Sequence, residues 1–149
     1  MGTDKTFKLA VQYATVCKGV PTRMQLRRWV KAALKQPAEI VLRLVDAVEG
    51  RELNRHFRGK DYATNVLTFV YDDTQPLTGD IVLCAPVINE EAVQQHKDLL
   101  AHYVHLTVHG VLHLQGYDHI EDAEAAEMEK LETTIMAGLG YDDPYAEYD

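Results

Sequence analysis

Basic residues all but vanish after Lys60: the remaining 89 positions hold only Lys97 and Lys130, against 18 Asp and Glu. The net charge of −8, taken alone, argues against a polyanionic partner. Cysteine is nearly absent too. Cys17 and Cys84 are too few for a disulfide framework, and Cys84, closing the apolar run Ile81-Val82-Leu83, reads as a small core residue. No apolar run approaches membrane-spanning length, and the N-terminal M-G-T-D-K-T-F-K has no signal-peptide core. No membrane association and a cytoplasmic location are therefore expected. Repeats, low-complexity tracts and linkers are lacking as well. With 46% hydrophobic and 26% charged residues, the chain reads as one domain over residues 1–149, large enough to bury its own core.

The missing basic residues are concentrated elsewhere. Residues 1–60 hold 13 Lys and Arg against 5 Asp and Glu, a net of +8, whereas the rest of the chain carries −16. Such segregation suggests a basic surface suited to phosphate and an acidic surface suited to a basic partner. Plain solvated helix faces are the competing reading.

Periodicity sets the elements. Phe7 to Val16 alternates as a strand, and Pro21-Thr22 opens a helix through Leu34 with Met24, Leu26, Trp29, Val30, Ala33 and Leu34 in its buried stripe. Glu39 to Val45 is a second strand, followed by a helix from Ala47 to Phe57 capped by Asp46 and carrying Arg51 and Arg55 outward. Thr64–Val70 and Asp80–Cys84 are further strands around a loop with Pro76 and Gly79. Helices follow at Pro86–His96, Leu99–Leu114 and Glu121–Leu139, the last one acidic. The fold expected is α/β or α+β, with about four strands covered by five or six helices.

The richest stretch is H-G-V-L-H-L-Q-G-Y-D-H, from His109 to His119. His109 and His113 stack one turn apart on a helix face. Gly116 lets the helix end in a left-handed turn, so that the chain brings His119 to the same point. Three imidazoles with a fourth position open is the pattern of a catalytic zinc site at the end of a central helix. The spacing is that of metzincin proteases. In zincins, however, a glutamate after the first histidine serves as general base, and here that position is Gly110. Peptidase chemistry of that kind is excluded while metal-assisted hydrolysis survives. His102 and His105, upstream on the same helix, read as surface or capping residues.

Two other stretches bear on chemistry. R-G-K-D-Y-A-T-N-V-L-T-F, from Arg58, sets a basic loop before a strand. Arg58 is the guanidinium chosen to face the metal and clamp phosphate oxygens, with Lys60 and Asn65 as further substrate contacts. The competing reading pairs Arg58 with Asp61 or leaves it exposed. In L-T-G-D-I, Asp80 either orients a histidine ligand or caps a turn, and Asp118 beside His119 could do the former.

In this order, N-R-H-F-R-G-K-D-Y-A-T-N-V-L-T-F, L-T-G-D-I-V-L and the histidine stretch resemble the YbeY family of bacterial rRNA-maturation endoribonucleases, and the likeness extends into E-D-A-E-A-A-E-M-E-K-L-E. The resemblance implies a mixed, mostly parallel sheet with the metal at a cleft, zinc on His109, His113 and His119, and Arg58 as a required arginine. It further implies action on 16S rRNA at its 3′ end, a part in ribosome quality control, and contacts with a small-subunit ribosomal protein and an assembly GTPase. Val70-Tyr71 departs from the Pro-Phe usual in the family, so the loop shape there is not carried over. The expected activity is a single-strand-specific, zinc-dependent endoribonuclease, with Arg58 and His113 catalytic and RNA as substrate. Three imidazoles would accept nickel or another divalent ion as well. The rival readings are a metal-dependent hydrolase of a non-RNA substrate, and a non-catalytic ribosome-assembly factor with structural zinc that docks a basic protein on the acidic helix from Glu121 to Glu132.

Overall fold

Alternation of apolar and polar residues produces strands with two distinct faces. In β2 (Ala38–Val45), Ile40, Leu42 and Leu44 point into the main core while Val41 and Arg43 point away. The computed structural model describes residues 6–74, 76–118 and 121–146. Among them, β1 (Phe7–Ala14), β2, β3 (Val66–Asp72) and β4 (Leu77–Cys84) form one sheet in the order β1-β2-β4-β3. The first three of these neighbours run parallel and β3 is antiparallel at the edge. The sheet is thus mostly parallel, and five helices of the described residues pack around it: α1 (Arg23–Ala33), α2 (Ala47–Arg58), α3 (Ala85–Gln94), α4 (Leu99–Leu114) and α5 (Asp122–Gly138). The expected single-domain α+β class is what the chain adopts.

The two sheet faces are covered unequally. One packs against α1 and α4, with α3 and α5 contributing Ile88, Met128 and Met136 to the same core; Met24, expected in the buried stripe of α1, is instead exposed. The other carries a small cluster of Val45, Leu67, Val82 and Cys84 beneath Leu53 of α2. Cys84 is accordingly the core residue its sequence context suggested. Beyond α2 this second face stays open, with Lys8, Ala10 and Gln12 exposed along β1.

α4 is the central helix because it reads as apolar nearly all round, with ten of its residues buried. It approaches the sheet at two glycines. A Cβ on Gly79 would lie 2.7 Å from the Phe69 carbonyl oxygen and 2.9 Å from a Leu114 methyl. A Cβ on Gly110 would lie 3.3 Å from Ile81 Cγ2 and 3.5 Å from Thr68 Cγ2. The expected loop around Gly79 is therefore strand, since β4 begins at Leu77 and needs a glycine for close packing rather than for a turn. Gly110 shows a milder form of the same packing: a side chain there would press on Ile81 and Thr68. β3 likewise outruns its expected end at Val70. It continues to Asp72 through a bulge at Tyr71, with Val70 keeping the N–H that a proline would lack. No helix among the described residues is long and apolar enough to cross a membrane.

Candidate metal centre

Both ends of α4 are set locally. The Asp98 carboxylate accepts from the Ala101 N–H at 3.0 Å at the start. At the finish Gly116 takes φ +98°, its N–H donating to the His113 carbonyl at 3.0 Å while the Tyr117 N–H reaches that of Leu112 at 3.2 Å. This paired arrangement is the Schellman ending, and its left-handed residue is why a glycine stands there. Gln115 fastens the same end to α1, donating to the Ala33 carbonyl at 2.8 Å and accepting from the Lys35 N–H at 2.7 Å. His119, the third expected ligand, lies outside the described residues.

His109 and His113 share a face of α4, their ring centroids 6.0 Å apart. Behind His109 stands Glu132 of α5, fully buried, whose Oε1 lies 2.9 Å from His109 Nδ1. A carboxylate only accepts, so Nδ1 carries the proton and Nε2 the lone pair. That is the carboxylate–histidine arrangement that presets an imidazole for a metal. The other oxygen, Oε2, accepts from His105 Nε2 at 2.5 Å and from the Tyr145 hydroxyl at 2.5 Å. Burial alone would raise the Glu132 pKa; the bonds from His105, His109 and Tyr145 outweigh it and hold the group down at about 2, so it is ionised at neutral pH. The Tyr145 hydroxyl is pushed up, by burial first and then by the carboxylate it serves.

Among the described residues no group of three His, Cys, Asp or Glu side chains surrounds one point. What stands there is two imidazoles on one helix face, one with its tautomer set by a buried carboxylate. That donor chemistry fits a divalent metal such as zinc.

Several expectations need correcting. His105 is mostly buried rather than on the surface, and His102 is 5% exposed with Nε2 3.0 Å from Glu91 Oε1. Burial lowers the His102 pKa against the opposing pull of Glu91. Glu132 does not belong to an exposed acidic face; it occupies the buried stripe of α5 with Met128 and Met136. Asp80 orients no histidine. Its side chain lies on the sheet face away from α4 and accepts from the Tyr71 hydroxyl at 2.6 Å. Glu132 supplies the orienting carboxylate expected of Asp80, and its signal was legible: an acidic residue spaced four from Met128 and four from Met136 in an apolar stripe.

Arg58 ends α2 and its guanidinium donates to the Thr68 carbonyl at 3.0 Å, on the edge strand β3. Since Thr68 packs beside Gly110, Arg58 stands at the edge of the sheet near the helix that carries His109 and His113. It does not pair with Asp61, whose carboxylate is taken by Arg51 at 2.8 and 2.9 Å. Buried Asn54 donates to the Tyr62 carbonyl at 2.7 Å and pins the basic loop, a role the sequence reading missed. Lys60 is exposed in that loop. Asn65 turns its amide to Glu91, at 3.0 and 3.3 Å, and so joins the His102 pair rather than the histidines of the proposed metal site.

With that geometry in view, comparison with known proteins is decisive. The sequence model of the family described as Endoribonuclease YbeY matches residues 8–140. The chain belongs to the endoribonuclease YbeY family. An Endoribonuclease YbeY from Nitrosomonas europaea is 66% identical over 142 residues, covering 95% of this chain and 87% of that protein. Another, from Nitrosospira multiformis, is 63% identical over 156 residues and covers 95% and 82%. The solution structure of a Thermotoga maritima protein matches with a TM-score of 0.55 at 26% identity, over 92% of this chain and 99% of that one. Membership in YbeY makes the chain an enzyme of the hydrolytic nuclease class. The span matched to YbeY takes in Arg58, His109, His113 and Glu132, whereas Tyr145 lies beyond it.

Proposed function

We propose that the chain is a zinc-dependent endoribonuclease specific for single strands, working in the cytoplasm on the 3′ end of 16S rRNA and in ribosome quality control. The observation that carries the metal-dependent reading is the bond from His109 Nδ1 to ionised, buried Glu132. His105 shares that carboxylate through its Nε2, so enclosure alone does not mark a ligand; His109 is set apart because Glu132 takes its Nδ1 while His113 stands one turn along the same helix face. His109, His113 and, by spacing, His119 would hold the ion; nickel or another divalent metal also suits imidazoles. When bound, the metal supplies Lewis-acid polarisation and a lowered pKa for water.

The chain's own residues do the rest. Glu132 fixes which nitrogen His109 presents, and His105 and Tyr145 keep that carboxylate ionised and immobile. Arg58, steadied by the Thr68 carbonyl, would clamp a phosphate oxygen and offset charge gathering on the phosphodiester. Lys60 adds positive charge on the approach. Asn65, engaged by Glu91, would act by fixing the start of β3. A basic small-subunit ribosomal protein would suit the exposed acids of α5, Asp122, Glu124, Glu127 and Glu129, and an assembly GTPase is the second partner proposed by resemblance.

Metal removal should abolish cleavage of a defined rRNA precursor and zinc should restore it. His113→Ala and Arg58→Ala, checked as folded, should each lose roughly 100-fold or more. Undiminished cleavage by either variant, or by stripped protein, would overturn the proposal.

A further inference from the structure

The open half of the sheet's second face carries an aromatic cluster for which the metal site has no use. Phe57 of α2 is 58% exposed and Tyr71 of β3 is 66% exposed. The Phe57 ring packs edge-on against Phe69 at 5.1 Å and against His56 at 4.6 Å. Together Phe57, Phe69 and Tyr71 line a shallow pocket of about 230 Å³, in which Arg43, Gln12 and Asp80 supply the polar groups. Those groups are held in place. Arg43 is bound by Glu49 at 2.6 and 2.9 Å and by Gln12 at 3.1 Å, and Asp80 by the Tyr71 hydroxyl. The bulge at Tyr71 sets the direction of its ring, which the hydroxyl bond then anchors.

Singly exposed apolar side chains are ordinary, but rings gathered around one pocket mark a place where a partner docks. The surroundings say which one. The cluster adjoins Arg58, the last residue of α2, with Arg55 exposed one turn back and Lys60 just beyond. Arg58 also reaches the edge carbonyl of Thr68, whose side chain faces Gly110 and the metal helix, whereas Phe69 faces the pocket. Phosphate-binding charge at the sheet edge thus separates the proposed metal site on one face from stacking surfaces on the other. Single-stranded nucleic acid has that alternation of anionic backbone and flat apolar bases.

We propose that Phe57, Phe69 and Tyr71 form a base-stacking subsite for single-stranded RNA, engaging a nucleotide next to the one whose phosphate Arg58 holds. The proposal rests on the RNA reading above and extends it. The small pocket suits one base rather than a duplex, and its stacking accounts for the strand preference without base-specific readout.

The test measures binding of a short single-stranded RNA carrying 2-aminopurine, using the zinc-loaded chain and the variants Phe57→Ala, Tyr71→Ala, Tyr71→Phe and Arg58→Ala. Folding is checked by thermal melting, and oligomeric state by light scattering. The first two variants should weaken binding about 10-fold each and lose the quenching that stacking produces, with the salt dependence unchanged. Tyr71→Phe keeps the ring and should retain the quenching. Arg58→Ala should weaken binding with a shallower salt dependence. If wild type binds and Arg58→Ala weakens it while both alanine variants match wild type, the subsite is overturned and the RNA reading stands. A loss of self-association in those variants with RNA binding intact would make the surface a contact between copies and would also overturn it. A wild-type chain that captures no RNA overturns both readings.

Discussion

Two of the histidine–carboxylate pairs made by α4, less than two turns apart, are wired in opposite senses. His109 gives Nδ1 to Glu132, so the lone pair of its ring is on Nε2. His102 gives Nε2 itself to Glu91, while its Nδ1 is buried without a hydrogen-bond partner. The first ring is half-buried and the second almost wholly enclosed. The difference teaches that a buried carboxylate beside a histidine is not by itself a sign of chemistry. What matters is which nitrogen it takes. On this account the Glu132 pair serves the metal, and the Glu91 pair, with Asn65, locks the start of β3 to α3 and α4.

Truncation should separate the two pairs most strongly. In metal-free protein, where ligand binding adds nothing to stability, Glu132→Ala should cost about 3–5 kcal/mol, because three enclosed donors lose their acceptor. Glu91→Ala should cost about 1–3 kcal/mol, since its network is smaller and more accessible. Denaturant titration reads both, and a larger loss at Glu91 would invert the comparison.

A smaller effect lies in the acid limb of stability. The His102 pKa is lowered by burial, so the unfolded chain takes up a proton first, and stability falls as pH drops below about 6.5. Glu132 is held at about 2, so its contribution is complete above about pH 4.5 and is lost as pH falls from there towards 2. Stability followed from pH 8 downward should therefore decline in two stages. His102→Gln should remove the upper stage alone; a single decline confined below pH 4.5 in the wild-type chain would contradict this assignment.

How far these features were legible depended on whether their cause was local. The bounds of α4 follow from Asp98 and Gly116, a cap and a left-handed residue that act within one turn, so Leu99–Leu114 was expected as found. Gly79 misled, because a glycine reads as a turn while its cause is close packing against the Phe69 carbonyl of the neighbouring strand and a Leu114 side chain 35 positions later. Glu132 was hidden among exposed acids, and only its place in the Met128–Met136 stripe set it apart. Arg58 was chosen for its chemistry, but its anchor on the Thr68 carbonyl is a matter of which strand lies at the sheet edge, and sequence order does not say that.

The zinc dissociation constant, measured by chelator competition on folded protein, tests the central claim most directly. Wild type is to be compared with Glu132→Gln and Glu91→Gln. Glu132→Gln should bind zinc about 10- to 100-fold more weakly, while Glu91→Gln should stay within about 2-fold of wild type. Equal affinity in wild type and Glu132→Gln, or an equal loss in both variants, would contradict the division between the two pairs.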